Sequence, residues 1–103
     1  MRKITSFYYL NYPDSLPSDP INAFSEVYVE IGDEQSNIER FEATYSIFIY
    51  TIGYISYMIK QSGYGFLLAH TALIVDRFDD EIIETMLEKI LPCIEEYGTR
   101  VQS

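Results

Sequence analysis

The chain has little cysteine and histidine, and this scarcity excludes several kinds of protein. Its single cysteine, Cys93, excludes an intramolecular disulfide and is typical of a reducing compartment, so we expect a cytoplasmic location. One cysteine and one histidine make no zinc-ligand pattern, and the phosphate-loop, dinucleotide and G-x-S-x-G motifs are all missing. We therefore expect neither an enzyme nor a bound metal or cofactor.

Basic residues are also scarce. Seven Lys and Arg face 16 Asp and Glu, which gives a formal net charge of −9. So few cations could not neutralise a run of phosphates, and this argues against direct nucleic-acid binding. If the protein has a charged partner, we expect that partner to be basic.

Long hydrophobic runs are missing, with one segment to consider. The first apolar stretch, 4–10, is followed at once by prolines, which argues against a secretory signal. Residues 43–59 carry no charge, and 17 residues is the lower limit for a membrane span. Their tyrosines and a change of hydrophobic period instead favour a buried strand followed by a helix, so we expect no membrane partner.

What is present predicts one folded domain over residues 1–103. Hydrophobic residues make up 48% of the chain, which is typical of a globular domain. We predict an α+β fold in the order β-β-β-α-β-α, with a small mixed or antiparallel sheet of three to four strands. Its two helices should pack mainly on one face.

The strands follow from alternation of apolar and polar residues. Residues 4–10 predict a first strand and the prolines of 12–25 a loop. Val27, Val29 and Ile31 alternate with polar residues, and Phe41 begins a second alternating run that extends to Ile49. With the polar break 32–37 between them, these runs predict an antiparallel hairpin with one apolar face. Residues 66–75 are apolar throughout, which predicts a strand buried on both faces.

Helical periodicity marks two further segments. Thr51 and Gly63 fit the N-cap and the left-handed end of a helix that presents an isoleucine face to the sheet. The last helix is capped by Asp79 or Asp80, is kinked at Pro92 and ends at Gly98.

Three polar features have both a functional and a structural interpretation. The acidic run 76–81 suits a Mg²⁺ or Ca²⁺ site, but acids also favour a helix N-terminus, and the calcium-loop spacing is missing. A catalytic role is the functional interpretation of His70, but the residue lies within the predicted fourth strand and is typical of a hydrogen-bonded core histidine. A reactive thiol is the functional interpretation of Cys93, but the residue falls on the apolar half of the last helix, as a small buried hydrophobe would.

Negative charge is concentrated in two blocks. Residues 26–42 sum to −5 and residues 76–96 to −6. On the last helix Asp80, Glu84 and Glu88 follow one another at i, i+4, where like charges destabilise an isolated helix. The face is either a solvated surface that aids solubility or a surface held for a cationic partner.

Two tyrosines add to the acidic blocks as candidate contact residues. Tyr54 and Tyr57 lie opposite the isoleucine face of the first helix, so they should point outward if that face meets the sheet. Exposed tyrosines are frequent interface anchors. Covering a second core beneath the proline-rich loop is an equally good reason for their position.

These features suggest a small acidic inhibitor of the immunity or antitoxin kind, which neutralises a basic effector such as a nuclease toxin. The candidate partner-binding residues are Asp80, Glu84, Glu88, Glu95, Glu30, Asp33, Glu34, Glu42, Tyr54 and Tyr57. A nucleic-acid mimic that blocks a defence complex is a related alternative. A homo-oligomeric interaction domain, such as a homodimer, is another, because excess apolar surface often marks an interface.

Overall fold

The structure, a computed structural model, describes residues 1–35, 38–67 and 71–101. His70, predicted to be a core histidine, lies outside the described residues. The elements in chain order are β1 (Arg2–Tyr9), β2 (Phe24–Gln35), β3 (Ile38–Thr51), α1 (Ile52–Ser62), β4 (Leu73–Val75), α2 (Asp80–Ile90), a 3₁₀ segment (Leu91–Glu96) and β5 (Thr99–Val101).

The predicted hairpin forms the centre of the sheet. β2 and β3 pair antiparallel with Val29 opposite Tyr45. One face of this hairpin, here called the core face, is buried: Val27, Val29, Ile31, Ala43, Tyr45, Ile47 and Ile49. The α+β class, the mixed sheet and the order β-β-β-α-β-α are confirmed. The alternating pattern also specifies which residues of the hairpin face the helix layer.

The hairpin differs from the prediction at its far end. The polar residues from Gly32 to Gln35 continue β2 instead of forming a break. A bulge places Ile31 opposite Ala43 but Gly32 opposite Phe41, so one residue of β3 is unmatched. The extra residue reverses the facing of the strand, and Phe41, predicted on the apolar face, is 71% exposed.

The sheet has five strands, arranged as β1-β2-β3-β4 with β5 also paired to β3. β4 is parallel to β3 and β5 is antiparallel to it, at different points along the strand. The predicted strand 66–75 is wrong in length and burial, since among its described residues, 66–67 and 71–75, only Leu73–Val75 is a strand, and Ile74 and Phe66 are exposed. Ile74 lies beside Tyr50 on the second sheet face, here called the outer face.

α2 packs on the core face. Asp79 caps it by accepting from the N–H groups of Glu81 and Ile82, and Ile83 and Leu87 are fully buried. The predicted single helix kinked at Pro92 is wrong, because α2 ends at Ile90 and a 3₁₀ segment with a non-helical Cys93 follows. Proline lacks the N–H that would continue the α-helical bonding.

Gly98 is required by packing, not by a left-handed backbone. A Cβ atom there would lie 2.8 Å from Cγ1 of Ile47 and 2.9 Å from the carbonyl oxygen of Ser46. The chain therefore passes close to β3 on its way into β5.

α1 is capped as predicted, by Thr51 and by Gly63 at φ 74°. It has no buried residue, and Ile52 is exposed, so the isoleucine face does not pack into the core. Tyr54 instead stacks with Tyr50 and Phe24 on the outer face. In the part of the chain that the structure describes, no helix is both long and apolar enough to cross a membrane.

Candidate protein-binding site

Four of the six hairpin carboxylates, Asp33, Glu34, Glu39 and Glu42, are paired with cations of the same chain. Asp33 Oδ1 lies 2.5 Å from the N-terminal amine. Lys3 Nζ lies 3.1 Å from Glu39 and 3.7 Å from Glu34, which raises the pKa of Lys3 through its hydrogen bond to Glu39. Because β1 runs beside β2, its basic start lies next to the acidic end of the hairpin.

Arg2 joins the hairpin to the 3₁₀ segment. Its Nε donates to Oε1 of Glu42 at 3.3 Å and lies 3.1 Å from Oε2, and its Nη2 donates to Glu95. The hydrogen bond from Arg2 lowers the pKa of Glu95 to about 2 and raises that of Arg2. Tyr45 also donates to Glu95, and burial raises the pKa of this tyrosine. Four predicted contact residues, Asp33, Glu34, Glu42 and Glu95, thus have internal cationic partners.

The carboxylates of α2 are arranged differently. Asp80, Glu84 and Glu88 are exposed, and none has a Lys, Arg or N-terminal nitrogen within 4.0 Å among the residues the structure describes. The sequence prediction that these three share one face holds, because the opposite side of α2 is buried in the core. They form an acidic surface that has no ion pair with another described residue.

A tyrosine fixes the first of these carboxylates. Tyr9 Oη donates to Oδ1 of Asp80 at 2.6 Å, which joins the end of β1 to the first turn of α2. Burial, followed by this hydrogen bond, raises the pKa of Tyr9, so the phenol stays protonated. Asp80 is therefore held in place by a neutral donor and not by a cation.

Beside this contact lies a groove of about 420 Å³. Its walls come from β1, from the proline-rich loop and from α2, and they are formed by Phe7, Tyr8, Tyr9, Tyr12, Pro13, Asp14, Ser15, Leu16, Asp80 and Glu84. A second groove of about 310 Å³ continues along the helix and is lined by Glu81, Glu84, Thr85 and Glu88. Glu84 borders both, so the acidic line continues from one groove into the other.

Sequence reasoning missed the aromatic and loop part of this groove. Tyr8 is 43% exposed, and Tyr12 meets Phe78 edge-to-face with ring centroids 6.0 Å apart. Both residues flank the proline-rich loop, and the run Phe7-Tyr8-Tyr9 ahead of it was the available signal. The loop and α2 lie side by side because of contacts between residues far apart in the sequence, and no local sequence pattern predicts such contacts.

The remaining predicted contact residues lie elsewhere. Glu30 is half-buried on the outer face and accepts from the Ser6 hydroxyl at 3.1 Å. Tyr57 is 47% exposed on α1, while Tyr54 is half-buried in its ring stack. None of the three lines the two acidic grooves.

The acidic run 76–81 has structural uses in the fold. Asp79 caps α2, Asp80 accepts from Tyr9, and Asp76 lies 3.6 Å from Arg77. Within the described ranges, no three Asp, Glu, His or Cys side chains gather as metal ligands would. Cys93 is half-buried in the 3₁₀ segment.

Comparison of the chain with protein-family models, with curated proteins and with solved structures found no match in any of the three.

Proposed function

We propose that this protein is a small acidic inhibitor of the immunity or antitoxin kind, which binds and neutralises a basic effector such as a nuclease toxin in the cytoplasm. One observation carries the proposal. The carboxylates of α2 lack internal cationic partners in the described residues, while four of the six hairpin carboxylates have them.

The cost of this arrangement supports a binding role. Asp80, Glu84 and Glu88 repel one another at i, i+4, and each such step costs about 0.2–0.5 kcal/mol in a helix. A cationic partner would remove that repulsion on binding, and the field of the acidic face would accelerate its approach. In this interpretation the protein occupies the positively charged surface that the effector uses for phosphates.

The groove beside α2 supplies the aromatic and apolar contact surface that charged side chains alone do not provide. Exposed ion pairs contribute little affinity, and most interfaces depend on a packed centre of aromatic and apolar side chains. Leu16 is 41% exposed and Phe7 and Tyr12 are half-buried in the same groove as Glu84, and they can supply such a centre.

The test compares two charge-reversed baits with the wild type in a pulldown from the source cells at low salt. Glu84→Lys with Glu88→Lys reverses the α2 face, and Glu34→Lys with Glu39→Lys reverses as many charges on the hairpin. We expect the wild type and the hairpin variant to retain a basic protein that salt releases. The α2 variant should lose it by at least about tenfold, the ratio that 1.4 kcal/mol produces.

The captured protein is then assayed for nucleic-acid cleavage with increasing amounts of wild type. Loss of cleavage near equimolar inhibitor would support the proposal. Recovery of no basic protein, equal retention by both variants, or full cleavage in excess inhibitor would each refute it.

A second candidate function is a homodimer through the outer face. Phe24, Phe48 and Tyr50 stack there, and Ile74 lies beside Tyr50 with 57% of its surface exposed. This face lies opposite α2, so pairing two copies through it would keep the acidic helices apart. Sedimentation equilibrium tests it: a monomer across the micromolar range would refute the dimer, and dissociation on Phe48→Ser would support it.

A further inference from the structure

We infer that the outer edge of β1, at Phe7–Tyr9, accepts an extended segment of the basic partner as an additional strand. The segment would alternate basic and apolar side chains. This inference rests on the proposed function and specifies how that partner is held.

The backbone of β1 is open at this point. Among the residues the structure describes, β2 is the only strand that pairs with β1. Leu10 N–H donates to the Glu26 carbonyl at 2.9 Å, so Tyr8 points its backbone groups toward β2 and its neighbours Phe7 and Tyr9 point theirs away. The Tyr9 carbonyl accepts from Tyr12 N–H at 3.3 Å. This leaves the N–H and C=O of Phe7 and the N–H of Tyr9 at the open edge of β1, directed away from β2.

The other half of the same edge is protected. A bulge interrupts the register between Ile4 and Ser6, and the positions before it are the charged Arg2 and Lys3. Bulges and charged side chains are the usual means by which proteins prevent unwanted pairing at an edge strand. The Phe7–Tyr9 half has neither, so it is the part of the edge suited to accept a strand.

The two sides of an added strand would meet different surroundings. Phe7 and Tyr9 point to the core face, where Asp80 receives the Tyr9 hydroxyl and Glu84 follows one turn later. Tyr8 points to the outer face, where it contacts Tyr28 with ring centroids 5.8 Å apart. Since side chains alternate along a strand, every second residue would reach the carboxylates, and the others would pack on Tyr8.

The chemistry of the groove selects arginine or lysine on the first side. Asp14 of the proline-rich loop lines the same groove as Asp80 and Glu84. A cation entering between them gains charge-assisted hydrogen bonds that a neutral side chain lacks. Charge complementarity therefore favours a basic extended segment over a second copy of this acidic chain.

The experiment titrates the ¹⁵N-labelled full chain with a short peptide that alternates arginine and valine. Two isomers carry N-methyl groups, one on its arginine amides and the other on its valine amides. N-methylation removes a backbone donor and leaves charge and composition matched between the isomers. We expect the Phe7 and Tyr9 amide signals to shift, and one isomer alone to bind at least about tenfold more weakly, the equivalent of 1.4 kcal/mol. An antiparallel addition predicts loss with the arginine isomer and a parallel one with the valine isomer.

Charge variants separate this inference from the proposed function. Glu84→Gln should weaken the unmethylated peptide, while Glu96→Gln, outside the groove, should not. Equal binding of all three peptides with loss on Glu84→Gln would overturn strand addition and leave the acidic inhibitor intact. No shift at millimolar peptide would also overturn it, whether or not the pulldown recovers a basic protein. Concentration-dependent shifts of Phe7 and Tyr9 without peptide would assign the edge to a second copy instead.

Discussion

The two acidic blocks look alike in the sequence and behave differently in the fold. They carry formal charges of −5 and −6. The hairpin block receives the N-terminal amine, Arg2 and Lys3 from the neighbouring strand, whereas the α2 face receives no cation from the described residues. Net charge along a sequence therefore says little about the electric field at a surface, because strand pairing decides which charges meet.

The first 25 residues illustrate this point. Their formal charge is zero, yet the fold separates their charges in space. β1 takes Arg2 and Lys3 to the hairpin, while the loop that follows takes Asp14 to the groove beside α2. The same segment compensates one acidic block and adds to the other.

If the acidic side of α2 differs from the hairpin in being reserved for binding, it should be dispensable for folding. Leu87 is fully buried on the apolar side, so Leu87→Ala should lower the free energy of unfolding by about 2–5 kcal/mol. Glu84→Ala, on the other side of the same helix, should leave it unchanged or slightly raised. Urea denaturation followed by circular dichroism measures both. If Glu84→Ala lowered the free energy of unfolding by more than about 1 kcal/mol, the acidic face of α2 would contribute to the stability of the fold.

Arg2 is the cation that pairs with Glu42 of the hairpin and with Glu95 of the 3₁₀ segment, and a substitution can remove it. Arg2→Gln removes the hydrogen bond that holds the pKa of Glu95 at about 2, so this pKa should rise toward 4.5. A carboxyl with a depressed pKa stabilises the fold above its unfolded value, and this contribution disappears as pH falls through the folded value. The wild type should therefore lose its advantage over Arg2→Gln between pH 4.5 and about 2.

Carboxyl ¹³C NMR titration measures the Glu95 pKa directly. Arg40→Gln is the matched control, because Arg40 is an exposed hairpin residue without an ion pair in the described part of the chain. An unchanged Glu95 pKa in Arg2→Gln would show that Arg2 does not compensate this carboxylate in the way the geometry indicates.

Local patterns predicted most of the secondary structure. Alternation placed Val27, Val29 and Ile31 on the buried face, and capping chemistry located Thr51, Gly63 and Asp79. These features depend on residues a few positions apart, which sequence reasoning can compare. The i, i+4 line of carboxylates on α2 was predictable for the same reason.

The missed features depend on single-residue shifts or on distant contacts. One extra residue in β3 turned Phe41 from the core to solvent, and no local rule marks where a bulge falls. The ion pairs of Arg2 join residues far apart in sequence, as does the Tyr9–Asp80 hydrogen bond. The acidic helix was therefore predictable, and the groove that completes the candidate site was not.

The smallest expected effect is also the most direct measure of the difference between the blocks. Glu84→Gln with Glu88→Gln removes two like-charge steps from α2, each worth about 0.2–0.5 kcal/mol, and so should stabilise the protein. Glu34→Gln with Glu39→Gln removes as many charges but leaves Lys3 without its partners, so it should not stabilise. Added salt should reduce the difference between the variants, since exposed charges are screened. Thermal unfolding of the wild type and of both double variants, at low and at high ionic strength, measures these changes in stability. If both double variants stabilise the fold equally and respond alike to salt, the two blocks are equivalent. The acidic face of α2 would then have no special property that marks it as the partner-binding surface.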